Sequence, residues 1–200
     1  MGGTGMDPDE SPAVRPTLTY PVCPAYRLVF RSVPRSPFPV PGLMTHIPDS
    51  RPMSYSRGEI TTFVMPHMQN VLGDLFGGHL MALVDQAAAV AAIRHAGGPA
   101  VTAAIDRVDF RERIPVGALV TCLSTVDWVG NSSMDITVEV YSERPSTGDK
   151  RNTHTAHVVF VAIDEQGHPK RVPRLIATTP DEHARMERAR LHREAMRKKT

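Results

Sequence analysis

Cysteine is scarce in this chain: two among 200 residues, Cys23 and Cys122. One lies in a proline-rich stretch and the other in a strand-like run, so a disulfide framework is not expected and a reducing compartment fits. Charge of one sign is equally scarce. Lys and Arg total 23 against 21 Asp and Glu, a formal net charge of +2, and that balance calls for neither nucleic acid nor a membrane surface as partner. No apolar run reaches the length of a membrane span, and no charged-then-apolar secretory pattern is seen. The expected location is cytoplasmic. Zinc-ligand spacing, the Gly-x-Ser-x-Gly elbow and the phosphate-cradling glycine loop are all missing. His154 and His157 sit an odd number of positions apart in a strand-like run, so they face opposite ways and do not chelate together. No metal is expected.

Proline, by contrast, is plentiful and unevenly spread. Residues 1–52 hold 11 of the 18 prolines and few periodic apolar positions, too little to offset the entropy of ordering them. Residues 1–55 are therefore expected to be a disordered extension. Its arginines and few acids suit a transit peptide, but it lacks the amphipathic pattern of one. Met44 and Met53 are alternative starts.

From Gly58 the character changes. Glu59–Met65 is rich in β-branched residues and ends at Pro66. A long apolar run from Leu80 to Ile93 reads as a helix buried all round, closed by Gly97-Gly98-Pro99. Four strand-like runs follow: Val101–Phe110, Leu119–Trp128, Ser133–Tyr141 and Thr153–Ile163. In the third, Met134, Ile136, Val138 and Val140 alternate with Asp135, Thr137 and Glu139. Residues 141–151 are polar and expected to be a mobile hairpin loop. One helix among largely antiparallel strands is an α+β fold, over residues 56–178. Residues 179–200 form a charged C-terminal helix, started by Thr179-Pro180-Asp181-Glu182. Residues 181–200 carry seven basic and four acidic groups. Their apolar face (Ala184, Leu191, Ala195) is thin, which predicts a solvated peripheral helix.

The stretch Asn70-Val-Leu-Gly-Asp-Leu-Phe-Gly-Gly-His-Leu-Met-Ala-Leu-Val-Asp85 carries the chemistry. A polar, glycine-bearing loop opens into the helix, and Asp85 is a carboxylate within the apolar run, where desolvation demands a partner or a function. Gly77 and Gly78 permit close approach to the backbone. The amides after them are undonated groups at the positive end of the helix dipole, suited to a developing oxyanion. Asp85 follows about two turns later on roughly the same face. Asn70 is placed to orient a water or a carbonyl. The bland alternative is a tight Gly-Gly turn and a satisfied core carboxylate.

Pro66, Asn70, Gly73-Asp74, Phe76-Gly77-Gly78 and Asp85, then Val101-Thr102, Phe110, Pro115-Val-Gly117, Gly130-x-Ser132-Ser133-Met134 and Phe160-Val-Ala-Ile-Asp164, resemble the hotdog-fold acyl-CoA thioesterases of the YciA and brain acyl-CoA hydrolase type. The resemblance runs from about Ile60 to Pro173. It implies a sheet wrapped round one long central helix and hydrolysis of an acyl-CoA thioester to free fatty acid and coenzyme A. Asp85 is then general base or nucleophile, the Gly77 or Gly78 amide polarises the carbonyl, and Asn70 orients. Coenzyme A is part of substrate and product, so no cofactor is implied. Asn131, Ser132 and Ser133 would lie beside it, with Arg111 and Arg171 meeting its phosphates or standing as solvated surface charge. A site shared between subunits implies a dimer or a trimer of dimers. Two departures stand out: Met68 and Ala118 occupy places where the family often has an acid. Two other readings remain open, a non-catalytic acyl-CoA-binding sensor and a hotdog dehydratase or hydratase, the latter wanting a histidine where Asn70 stands.

Overall fold

The computed structural model describes residues 48–197. The expected disorder of residues 1–47, and Cys23 with it, lies outside the described residues. Chain order is β1 (Ser50–Pro52), β2 (Gly58–Phe63), α1 (Gly77–Ala96), β3 (Ala100–Phe110), β4 (Leu119–Val129), β5 (Ser133–Arg144), β6 (Asp149–Ala162), β7 (Arg174–Ile176) and α2 (Pro180–Arg197). Five strands make one antiparallel sheet in the order β2-β4-β5-β6-β3, leaving β2 and β3 as its edges.

Helix α1 lies along one face of this sheet. Val84, Ala87, Ala88, Ala91 and Ala92 are fully buried there, packed with Val120, Cys122 and Val126 of β4, Ile136, Val138 and Val140 of β5, and Val158 and Phe160 of β6. Alanines hold the helix close to the sheet because they add little between backbone and strand. Gly97 ends it in the left-handed conformation (φ 65°), its N–H donating to Ile93 O, as a C-terminal glycine should. The helix is not buried all round, however: Ala82, Gln86 and Ile93 are exposed. The sheet covers one side only.

The strands run close to the expected bounds, and the alternation in β5 sorts correctly, Met134, Ile136, Val138 and Val140 facing the core. Residues 141–151 differ in extent. The hairpin is there as expected, but β5 and β6 continue further into it, pairing Arg144 with Asp149 across a tight turn. Cross-strand pairing extends a polar hairpin that has no apolar signal of its own. The expected extension also ends too late. Ser50–Pro52 pairs in parallel with β7, and Met53 is fully buried in a short helical turn.

This strap rests on a buried polar network. Arg51 donates to Arg94 O and stacks 4.6 Å from the Tyr55 ring centroid. His95, also buried, has Ser56 Oγ 2.8 Å from Nδ1 and Pro173 O 3.0 Å from Nε2. A carbonyl only accepts, so Nε2 carries the proton and Nδ1 accepts from Ser56. Burial lowers the His95 pKa. Cys122 is a free, buried thiol pushed up to about 12. Among the described residues no helix is long and apolar enough to cross a membrane.

Helix α2 begins at its capping signal: Glu182 N–H donates to Thr179 Oγ1, and the Glu182 carboxylate accepts from Thr178 N and Oγ1. Most of its residues are exposed, as expected of a peripheral helix, but it is docked by a charged seam. Ala184, Leu191 and Ala195, its supposed apolar face, are exposed, while Glu182 and Arg193 are buried. It crosses the face of the sheet opposite α1. Arg185 pairs with Asp127 of β4 (3.0 Å) and Glu139 of β5 (3.6 Å), Arg193 with Asp135 of β5 (2.6 Å), and His192 with Asp106 of β3 (3.6 Å).

Candidate active site

The loop before α1 is a tight, self-bonded turn. Asn70 N donates to Asp74 O (2.7 Å) and Gly73 N to Asn70 O (3.1 Å). The Asn70 side-chain oxygen accepts from Leu72 N (2.8 Å) and Asp74 N (3.3 Å). Backbone amides need an acceptor, which fixes the orientation of this side chain. Its oxygen is therefore occupied, and the Nδ2 amide is the group free to donate. Asn70 suits a carbonyl better than it suits the proton of a water. Arg113 pairs with Asp74 (3.0 Å) and Leu75 N bonds Ile114 O, anchoring the loop to the sheet.

Phe76 precedes α1 with no side-chain cap, and the first helical bond is Leu80 N to Phe76 O. The amides of Gly77, Gly78 and His79 have no acceptor among the described residues, so three donors stand at the positive end of the dipole. A Cβ on Gly78 would come within 2.4 Å of the Phe76 ring, whereas one on Gly77 would meet Phe110 at an ordinary 3.7 Å. Gly78 is thus the position where a side chain forces movement.

Asp85 lies half-buried on the flank of α1 that faces the β3 edge of the sheet, where partial exposure and a polar partner make its charge tolerable. Thr102 of β3 donates its hydroxyl to Asp85 Oδ1 at 2.6 Å. Oδ2 has no partner among the described residues. Thr102 is a partner of Asp85 that the sequence pattern does not single out. It was quoted only as part of a matching Val101-Thr102 pair, and nothing in a one-dimensional pattern sets it against a carboxylate seventeen positions earlier.

The remaining residues fall into two groups. Asn70, Gly77 and Arg111 line a cleft of about 330 Å3 with Phe110 and His154, which does not include Asp85. His154 donates from Nδ1 to Thr153 Oγ1 (2.8 Å), since that hydroxyl gives its proton to Val140 O, and burial lowers its pKa. Arg111 also pairs with Asp109 at 3.6 Å. Asn131, Ser132, Ser133 and Arg171 gather at the other end of the sheet, where Val172 N bonds Asn131 O and Ala162 N bonds Ser132 O. Arg171 lies with Lys170 and Arg174 around a second, basic cleft. Arg111 and Arg171 therefore do not converge within one chain. Met68 and Ala118, the two departures, are buried, where an acid would need a partner. Among the described residues no group of three or more His, Cys, Asp or Glu side chains is arranged to hold a metal.

A family model described as the thioesterase superfamily matches residues 72–148. An uncharacterised acyl-CoA thioester hydrolase of Bacillus subtilis is 38% identical over 135 residues, 68% of this chain and 78% of that one. Among solved structures, a hexameric acyl-CoA thioesterase without ligand superposes with a TM-score of 0.72 at 38% identity, covering 76% of this chain and 96% of that chain. The acyl-CoA hydrolase of Staphylococcus aureus, in complex with butyryl coenzyme A and coenzyme A, gives 0.69 at 32% identity, covering 74% and 90%. Solved variants of that hydrolase replace an asparagine, an aspartate and a threonine singly by alanine, at positions fifteen and seventeen residues apart. With its antiparallel sheet around a long helix and these relatives, the chain belongs to the hotdog-fold acyl-CoA thioester hydrolases of the thioesterase superfamily.

Proposed function

We propose that this protein hydrolyses acyl-CoA thioesters to the free acid and coenzyme A, with Asp85 as the reacting carboxylate. One observation carries the reading: a single helix has three undonated amides at its head and, two turns on, a half-exposed carboxylate held by Thr102. Asn70, Asp85 and Thr102 also have the spacing of the three residues substituted in the Staphylococcus aureus hydrolase.

In the general-base route Asp85 takes a proton from water while its oxygen adds to the thioester carbon. The charge that develops on the carbonyl oxygen is met by the Gly77 or Gly78 amide and Asn70 Nδ2. Collapse breaks the C–S bond, and the thiolate leaves with the proton returned by Asp85. In the nucleophilic route the Asp85 carboxylate itself adds, the thiolate leaves, and water cleaves the mixed anhydride. The Thr102 bond orients the carboxylate in both.

A second copy completes the site. Asn70 and Gly77 lie at the Phe110 end of β3, while Asn131–Ser133 and Arg171 lie at its Ala100 end, about 30 Å of helix apart. Antiparallel pairing of two copies along the open edge of β3 brings one chain's turn beside the other chain's loop. Val71, Leu72, Phe76 and Phe110, all well exposed in the single chain, are then covered, and assembly into a hexamer like that of the solved relatives follows from such dimers. The reaction belongs in the cytoplasm, where Cys122 stays reduced.

The test is thiol release from a panel of acyl-CoAs, short to long, by the protein and by Asp85→Ala, with the assembled mass measured by light scattering. Release abolished in a variant that still folds and assembles supports the reading; binding without release makes the protein a sensor; release that survives removes Asp85 from the chemistry. Single turnover in 18O water separates the routes, since only the anhydride leaves label in Asp85.

A further inference from the structure

Arg193 is a buried arginine in the last turns of a helix that the reaction does not use. We propose that it is a positioning residue for coenzyme A recognition, acting through the Gly130–Ser133 turn. The inference rests on the reading that this turn meets coenzyme A.

The contacts are specific. Arg193 Nη1 donates to Asp135 Oδ1 at 2.6 Å and Nη2 to Ser133 Oγ at 3.3 Å. The guanidinium also lies over Trp128, 4.3 Å from the ring centroid. These partners bracket the turn: Trp128 is the penultimate residue of β4, Ser133 closes the turn by accepting from Gly130 N (2.8 Å), and Asp135 is on β5. One side chain therefore grips both strands of the hairpin just before they reverse. The turn itself sits directly on the gripped residues. A Cβ on Gly130 would come within 2.7 Å of Ser133 Oγ and 3.1 Å of the Trp128 ring. A shift of Trp128 or Ser133 thus moves the backbone that presents Asn131 and Ser132.

The chemistry selects arginine. Only a planar fork makes two in-plane hydrogen bonds while stacking on an aromatic face; an ammonium has three donors but no flat face to lay on the ring. Asp135, pushed up by burial and drawn down by Arg193, ties the helix to the strand because neither charge is stable there without the other. Arg185 is the natural comparison. It docks the same helix to Asp127 and Glu139 but touches nothing in the turn.

The experiment compares Arg193→Met, Arg193→Lys, Arg185→Met, Asn131→Ala and Ser132→Ala in the full-length protein. It reads kcat and KM for an acyl-CoA that the protein hydrolyses, and the Kd of free coenzyme A by calorimetry. Arg193→Met should raise KM and the coenzyme A Kd by about tenfold with kcat within about twofold, the pattern of lost uniform binding. Arg193→Lys, which keeps charge opposite Asp135, should fall between it and the native protein. Arg185→Met should lower the melting temperature and leave KM alone. If Arg193→Met does not fold, Arg193→Lys decides on the same KM readout. Equal KM increases in Arg185→Met and Arg193→Met would overturn the proposal, since helix docking in general would then suffice. Unchanged KM in both Arg193 variants, with KM raised in Asn131→Ala or Ser132→Ala, would also overturn it while keeping coenzyme A at the turn. No effect from any turn or Arg193 substitution would instead remove the reading beneath it.

Discussion

Two helices of similar length, α1 with 20 residues and α2 with 18, cover opposite faces of the same sheet with opposite chemistry. Helix α1 meets β4, β5 and β6 through valine and alanine and keeps its single acid on the flank beside β3. Helix α2 meets β4 and β5 through Arg185 and Arg193 and β3 and β6 through His192, and turns its leucine to solvent. The reason lies in the strands. Alternation puts Ile136, Val138 and Val140 under α1 and, one residue out of phase, Asp135 and Glu139 under α2. A helix docks on what the sheet presents, and an acidic face selects arginines. Burial by alanine is indifferent to salt and pH. Docking by ion pairs is not, and leaves the outer helix able to carry a local instruction to the turn it touches.

If α1 is the chemical helix and α2 the positioning one, Asp85→Ala should cost about a thousandfold in kcat, measured by thiol release, while Arg185→Met leaves kcat near that of the native protein. Packing comes next in size. Ala88→Leu puts extra carbons into a site with no free surface and should destabilise by about 2–3 kcal/mol. Ala184→Leu on the exposed side of α2 should change stability by less than about 0.5 kcal/mol. Equal effects in chemical denaturation would erase the contrast between the helices. Asp135→Ala leaves the Arg193 guanidinium buried without its ion-pair partner and should cost about 2 kcal/mol, with a loss of α2 protection in hydrogen exchange that precedes that of α1.

The smallest effect is the pH dependence. Burial lowers the pKa of His95 and His154, and of His157 beneath α2, where His192 adds to the lowering and Asp127, Asp106 and Asp109 oppose it. A depressed histidine binds fewer protons folded than unfolded. Its contribution is intact above the unfolded value near 6.5 and is lost as pH falls below it towards the folded value. The melting temperature should therefore drop by a few degrees between pH 7.5 and 5.5. A flat or rising profile would show that these rings are not held neutral.

Much of this was legible in one dimension. The apolar run, its Gly97 stop, the alternation in β5 and the Thr179-Pro180 cap are local patterns, and each became the expected element. The head of α1 was legible too, because unpaired amides at a helix start follow from backbone geometry alone. Three things were not. Residues 50–55 look like the end of the proline-rich stretch before them, yet β7 lies alongside to pair with Ser50–Pro52 and Met53 is buried. The 141–151 hairpin is legible as a turn, but how far its strands pair is not, because polar hairpin arms have no apolar period. The face of α2 that docks was misassigned because hydrophobicity was used to find it, and here the seam is charged.

The sequence by itself determined a central helix with unpaired amides at its head and one carboxylate, the strands around it, and the family to which they belong, since these depend on local propensity and short-range spacing. Only the tertiary structure decided that Thr102 holds Asp85, that the Asn70 oxygen is taken up by the amides of its own turn, that the two groups of candidate residues lie at opposite ends of the sheet, and that Arg193 grips the Gly130–Ser133 turn. Each of these is a contact between elements far apart in the chain. Its existence depends on which strand lies beside which, and that order follows from the packing of the whole core.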